Sequence, residues 1–187
     1  MIIGLTGKKH SGKTTAAHSI CGEKPYGNLL FCPVSFAFTL KFMITILLNE
    51  LGYPGNETED YHANKSKVID SLGVDTRYLM QTLGSEWGRT LIHPDIWLKT
   101  SESMLSRIRV PNQVFDDVRF ENEAEFIRQR GGLIIHIERP GLTSEDPHES
   151  ENGIAFKPGD EKLVNDNLDD FLHQFRCLVE NRLNVHA

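Results

Sequence analysis

Gly7-Lys8-Lys9-His10-Ser11-Gly12-Lys13-Thr14 matches G-x-x-x-x-G-K-[ST] at every fixed position. Glycine at positions 7 and 12 admits backbone torsions that a Cβ would oppose, so successive N–H groups can turn inward on an anion. Lys13 adds a point charge for the outer phosphates of a nucleoside triphosphate, and Thr14 adds a hydroxyl, the oxygen donor that Mg²⁺ prefers. The apolar run Ile2-Ile3-Gly4-Leu5-Thr6 before it reads as a strand, and 13–21 after it reads as a helix. The helix contributes the positive end of its dipole. A chance turn rich in Gly and Lys has no reason to sit between those two elements. The pattern implies triphosphate binding and leaves the reaction open.

Moving a phosphoryl group takes positioning and positive charge more than covalent chemistry. Val114-Phe115-Asp116-Asp117-Val118-Arg119 offers carboxylates at a strand end, where ligands sit in open α/β sheets, and an arginine beside them. Asp117 is placed to hold Mg²⁺ or a substrate hydroxyl, and Arg119 to fork onto a phosphate. A capping carboxylate with a surface arginine is the competing reading. Arg77, Gln81 and Gly84 fall on one helix face: a fork for an acceptor phosphate, an amide for a base edge, and room for a ring. A merely solvated face fits that spacing too. Arg139 follows a strand directly and could stack on adenine or neutralise phosphate. His148 and Glu151 have no third ligand at metal spacing, so a loop or lid contact is preferred for them.

These residues need a scaffold of short apolar strands alternating with helices, which is the pattern of a parallel α/β sheet. Further strands are expected over 29–36, 113–118, 133–137 and 162–164. Pro33 removes a backbone donor and assigns its strand to an edge or a bulge. Residues 38–51 form a helix apolar on much of its circumference, read as core, with a subunit contact in a homodimer as the second reading. Residues 52–75 are polar and read as an excursion or small subdomain rather than sheet core. Leu79, Met80, Leu83 and Trp87 mark a helix over 77–89, and Pro94 is expected at the first position of the next. Asn122 or Glu121 would cap a helix ending at Gly131-Gly132. Residues 140–160 lack apolar periodicity and read as a lid-like loop. An amphipathic helix through Leu168, Phe171, Leu172, Phe175, Leu178 and Val179 closes the chain, with Asp169 and Asp170 in its first turn.

The 187 residues suit one domain at about 150 residues each. A net charge of −6 argues against coating nucleic acid or an anionic membrane. Three cysteines without a C-x-x-C pair fit neutral thiols in a reducing compartment. No apolar leader opens the chain and no run approaches the ~20 residues of a membrane span, so the expected location is the cytoplasm, the host's if the protein is phage-encoded.

Taken together, three segments resemble the deoxynucleoside monophosphate kinases of bacteriophages, within the P-loop kinase group. They are GKKHSGKTT; RYLMQTLGSEWGR followed by HPDIW; and DVRFENEAE followed by Gly131-Gly132. His148-x-Ser150-Glu151 and Asp166-Asn167 also fit, so the likeness runs from Met1 to about Phe171. It implies a single P-loop kinase domain over 1–187, with a five-stranded parallel sheet flanked by helices, an inserted helical acceptor region over 38–110 and a lid over 140–160. It also implies transfer of the ATP γ-phosphate to a deoxynucleoside 5′-monophosphate, with Mg²⁺. By position, Gly7, Lys8, His10, Ser11, Gly12, Lys13, Thr14, Thr15 and Arg139 would serve ATP, and Thr14 with Asp117 the metal. Lys41, Arg77, Gln81, Gly84, Trp87, Arg89, Asp117 and Glu123 would serve the acceptor, and Lys13, Arg77, Asp117 and Arg119 the transfer. One departure stands out: the family often reads Ala-Asp-Pro-Leu-Lys where this chain has Ala37-Phe38-Thr39-Leu40-Lys41. Two other readings compete. A kinase of another small acceptor, such as dephospho-coenzyme A, would need a different 77–97 block. A nucleotide-binding switch would need a loop that senses the γ-phosphate.

Overall fold

A computed structural model describes residues 1–21, 30–107, 111–142 and 153–184. Its chain contacts divide it into two units, one of 1–35 with 108–187 and one of 36–107.

The first unit is built on a five-stranded parallel sheet of order β2-β5-β1-β6-β7. The strands are β1 (Ile2–Thr6), β2 (Phe31–Val34), β5 (Asn112–Phe115), β6 (Leu133–Glu138) and β7 (Glu161–Val164). Helices α1 (Lys13–Ile20), α6 (Glu121–Arg128) and α7 (Leu168–Asn184) pack on it. β1 is central, pairing with β5 from Ile2↔Gln113 and with β6 from Ile3↔Leu133. Its near-continuous apolar sequence is what a strand covered on both faces requires. One face buries Ile3 and Leu5 with Ala16, Ala17, Ile135, Ile137, Phe171, Phe175 and Val179. On the other face Gly4 leaves room for α6, because a Cβ there would stand 2.6 Å from the Ile127 side chain. β2 is an edge strand, and it tolerates Pro33 for the reason anticipated: an outer N–H has no ladder partner to lose.

α6 corrects the expected cap. Its N-cap position is Phe120, and the carboxylate that closes the end is Glu123, which accepts from the N–H groups of Arg119 at 2.8 Å and Phe120 at 3.1 Å. Reaching back from the third helical position satisfies two N–H groups at once, which neither Glu121 nor Asn122 does there.

The second unit contains α2 (Phe38–Glu50), α3 (Gly55–Ala63), a short hairpin of β3 (Val68–Ile69) and β4 (Val74–Asp75), α4 (Thr76–Gln81) and α5 (Ile96–Leu105). The polar 52–75 stretch is thus structured. Pro94 lies two residues ahead of α5 rather than inside its first turn. The core is Leu40, Ile44, Leu48, Tyr61, Ile69 and Trp97. On α2 this satisfies the core reading for one face only. Phe38, Phe42 and Ile46, one turn apart on another face, remain 55%, 56% and 48% exposed.

The expected helix over 77–89 changes character. Thr82–Ile92 is a π-helix, with His93 N–H donating to the Gly88 carbonyl five residues back. Gly88 makes room there for the Trp97 ring, whose Nε1 donates to the Gly84 carbonyl at 2.7 Å. A Cβ on Gly88 would lie 2.6 Å from that ring.

Candidate functional site

The loop between β1 and α1 takes the conformation its glycines permit. Gly7 and Gly12 have φ of 142° and 109°, and His10 joins them at 65°, uncommon for a side-chain-bearing residue. The loop is tied down from several directions. Ser11 N–H donates to the Lys8 carbonyl, and Asn165, following β7, donates its side-chain amide to the Ser11 carbonyl at 2.8 Å. Arg139, beyond β6, donates to the His10 carbonyl at 3.3 Å, and Lys8 Nζ donates to the Leu142 carbonyl at 3.0 Å. Lys13 Nζ donates to the carbonyls of Gly7 at 2.7 Å and Lys8 at 2.8 Å. The ammonium is therefore folded over the loop. The Ser11 hydroxyl is buried and has no hydrogen-bond partner among the described residues.

The fit to a phosphate chain rests on two observations. At Gly7 a Cβ would come within 2.2 Å of the Ile137 carbonyl, so only glycine lets the loop lie this close to β6. The orphaned Ser11 hydroxyl is a donor within that loop.

The carboxylate brought to Thr14 is Asp116: the Thr14 hydroxyl donates to Asp116 Oδ2 at 2.7 Å. Asp117, the carboxylate expected there, instead accepts from the Ser35 hydroxyl at 2.5 Å. Neighbouring residues at a strand end point to opposite sides, and the β2–β5 pairing delivers Asp117 toward Ser35. Asp116 is the residue the sequence reading missed. An acid two residues before Val118 was the available signal, but nothing local distinguished it from its neighbour. Thr15 is exposed on the first turn of α1.

Beside the loop lies a cavity of about 400 Å³. Gly7 and Lys8 form one side, Arg119 and Arg139 contribute cations, and Ile154 and Val164 supply apolar surface. Arg119 lines the same cavity as Gly7 and Lys8 of the loop. Glu123 is 3% exposed, and its carboxylate closes α6.

In the second unit, Lys41, Arg77 and Gln81 are half-buried, on α2 and α4. Arg77 N–H donates to the Lys65 carbonyl at 2.8 Å. Gly84 is buried, a Cβ there would stand 3.1 Å from the Leu40 side chain, and its carbonyl accepts from Trp97 Nε1. Trp87 is 37% exposed on the π-helix, and Arg89 donates to the Pro94 carbonyl at 3.1 Å. His148 and Glu151 lie outside the described residues, as do residues 143–152 of the expected lid. No group of three or more His, Cys, Asp or Glu among the described residues is arranged to hold a metal by itself. No described helix is long and apolar enough to cross a membrane.

The cysteines Cys21, Cys32 and Cys177 are unpaired with one another and half-buried. Burial first, then the neighbouring Cys32 and Asp116, pushes the Cys21 thiol up to about 12, which leaves it unreactive at neutral pH.

Comparison with known proteins adds a line independent of the phosphate loop. The profile of the deoxynucleotide monophosphate kinase family matches residues 37–175, a span that begins after the loop ends. A protein of Acanthamoeba polyphaga mimivirus, provisionally named a deoxynucleotide monophosphate kinase, is 32% identical over 97% of each chain. The deoxynucleoside-5′-monophosphate kinase of Escherichia phage T5 is 33% identical over 54% of this chain and 44% of its own. The deoxynucleotide monophosphate kinase of Enterobacteria phage T4 is 30% identical over 58% and 45%. The chain spans about half the length of these phage relatives where they match, and nearly all of the mimivirus protein. Since the profile rests on the helical unit and the later strands while the loop motif lies outside it, two separate stretches of sequence agree, and the chain belongs to the deoxynucleotide monophosphate kinase family.

Proposed function

We propose that the protein transfers the γ-phosphate of ATP to a deoxynucleoside 5′-monophosphate, yielding the diphosphate. The observation that carries this reading is the Thr14–Asp116 contact of 2.7 Å at the rim of a glycine loop that also holds the Lys13 ammonium. A hydroxyl and a carboxylate side by side are the hard oxygen donors that suit Mg²⁺. Bound there, the ion would offset charge on the phosphate oxygens. Lys13 is positioned to bring its ammonium to the same oxygens by leaving the Gly7 and Lys8 carbonyls. Arg119 and Arg139 face the cavity beside the loop, which is of a size to take the nucleoside of the donor. The acceptor role is assigned to Lys41, Arg77 and Gln81 of the helical unit, with Arg119 serving the transferred group. Asp117, held by Ser35, is assigned to orienting the acceptor side of the reaction rather than the ion. The half-buried cysteines, none joined to another in a disulfide, suit a reducing compartment such as the cytoplasm.

The test measures ADP release from ATP and Mg²⁺ against a panel of deoxynucleoside and nucleoside monophosphates. Strong dependence on one or more deoxynucleotides is expected. Equal, slow hydrolysis in every sample would mean a nucleotide switch instead, and dependence on a non-nucleotide acceptor would move the protein to another kinase class.

A further inference from the structure

Residues 153–160 run as irregular chain past the cavity, between no regular elements of their own, and Gly153 and Ile154 form part of its lining. With no ladder to hold it, such a segment takes its position from side-chain anchors. The anchors here converge on Asp160. Its carboxylate, only 2% exposed, accepts from Arg128 Nε at 3.0 Å and Nη2 at 2.6 Å, from Lys157 N–H at 2.9 Å and from His136 Nε2 at 3.1 Å. Arg128 also donates to the Ala155 carbonyl at 3.2 Å, and Glu121 accepts from Ala155 N–H at 3.2 Å. Lys157 Nζ completes the ring on Glu121 at 2.6 Å. His136 lies on the floor of the cavity, with Phe156 tilted over its ring at 5.1 Å. Burial alone would raise the Asp160 carboxyl, but the bonds from Arg128, Lys157 and His136 outweigh it and leave it below the usual range. A buried carboxylate that accepts four hydrogen bonds from three residues is a rigid fixture.

We infer that Asp160, through Arg128 and His136, is a positioning residue for donor binding: it fixes the 153–160 segment as the wall against which the nucleoside of the donor rests. The inference builds on the reading of the cavity as the donor's nucleoside site. Asp160 itself touches no substrate. It acts through Gly153 and Ile154, and the phosphate loop is anchored separately by Asn165 and Arg139.

The separation of anchors supplies the test. Binding of ATP and of inorganic tripolyphosphate, each with Mg²⁺, is measured by calorimetry for the wild type, Asp160→Asn and Glu121→Gln. Asparagine keeps the size but turns an N–H₂ toward donors. Asp160→Asn should weaken ATP roughly tenfold, leave tripolyphosphate unchanged and keep turnover at saturating ATP within about twofold. Glu121, an exposed carboxylate, should give a folded variant with a loss in the same direction of about threefold. Equal weakening of ATP and tripolyphosphate, or ATP affinity unchanged in Asp160→Asn, would overturn the inference. Should Asp160→Asn fail to fold, wild-type ATP affinity in Glu121→Gln overturns it equally. A wild type that binds neither compound would instead bring down the donor-site reading, and the inference with it.

Discussion

Each unit fixes its own side chains by different means. In the sheet unit, side chains far apart in sequence are joined by polar bonds: Thr14 to Asp116, Ser35 to Asp117, Asn165 to the Ser11 carbonyl. In the helical unit, one apolar cluster is gathered around Trp97. There His62 Nδ1 and the Thr76 hydroxyl are buried with no hydrogen-bond partner among the described residues. Polar ties fix direction as well as distance, so the phosphate loop is organised before any ligand arrives. Packing fixes position with less directional demand. Substitutions in the first unit should therefore separate chemistry from folding, whereas in the second the two should fail together.

The largest effect is expected at Lys13. Lys13→Ala should lower turnover by about 10²- to 10³-fold while the melting temperature stays near that of the wild type. Parallel loss of both would erase the contrast. In the helical unit, Trp97→Ala removes the centre of the cluster and the donor to the Gly84 carbonyl. Chemical denaturation should register a loss of about 3–5 kcal/mol, and stability within 1 kcal/mol of wild type would show, on the same scale, that packing is not what holds this unit.

His62 sharpens the comparison by pH. Burial first, then the charges of Lys41 and Lys65, holds its pKa below the ordinary histidine value. A folded-state pKa lower than the unfolded one, about 6.5, makes the neutral ring the one the fold prefers. Its stability contribution is then present above that pH and is lost as pH falls toward the depressed value. His62→Gln should flatten the decline in melting temperature between about pH 7 and pH 5. An unchanged slope would place the acid sensitivity elsewhere. The smallest effect belongs to Thr76→Val, which deletes a buried, unmatched hydroxyl at nearly constant shape. Thermal melts should show a change of less than about 1 kcal/mol, or a slight gain. A loss of 2 kcal/mol would mean the hydroxyl is satisfied after all.

What could be read in advance was what is local. The glycine loop, its lysine and its threonine lie within eight residues, and a strand and helix on either side complete the pattern without reference to the rest of the chain. The edge position of β2 was legible because Pro33 has only one way to sit in a sheet. The choice between Asp116 and Asp117 was not, since it depends on the register of β5 against β2. Nor was the π-helix: spacing at 77, 81 and 84 looks the same whether the next turn closes at four residues or five, and only the Trp97 ring, arriving from α5, decides it. Glu123 illustrates a third limit. An acid at the third helical position can serve a ligand or its own helix, and nothing local to Glu123 foretells that the N–H groups of Arg119 and Phe120 reach its carboxylate.

The central position of β1 has a consequence for synthesis. Its sheet neighbours are β5 and β6, and the whole helical unit lies between β1 and both of them in the chain. As the chain emerges from the ribosome, β1 is made before both neighbours and must wait, unpartnered, until that insertion has been translated. The helical unit, contiguous and short-ranged in its contacts, can collapse during the delay and shorten the effective distance its flanks must search. A nascent chain arrested before Asn112 should accordingly hold folded helices and an unprotected, aggregation-prone leading strand.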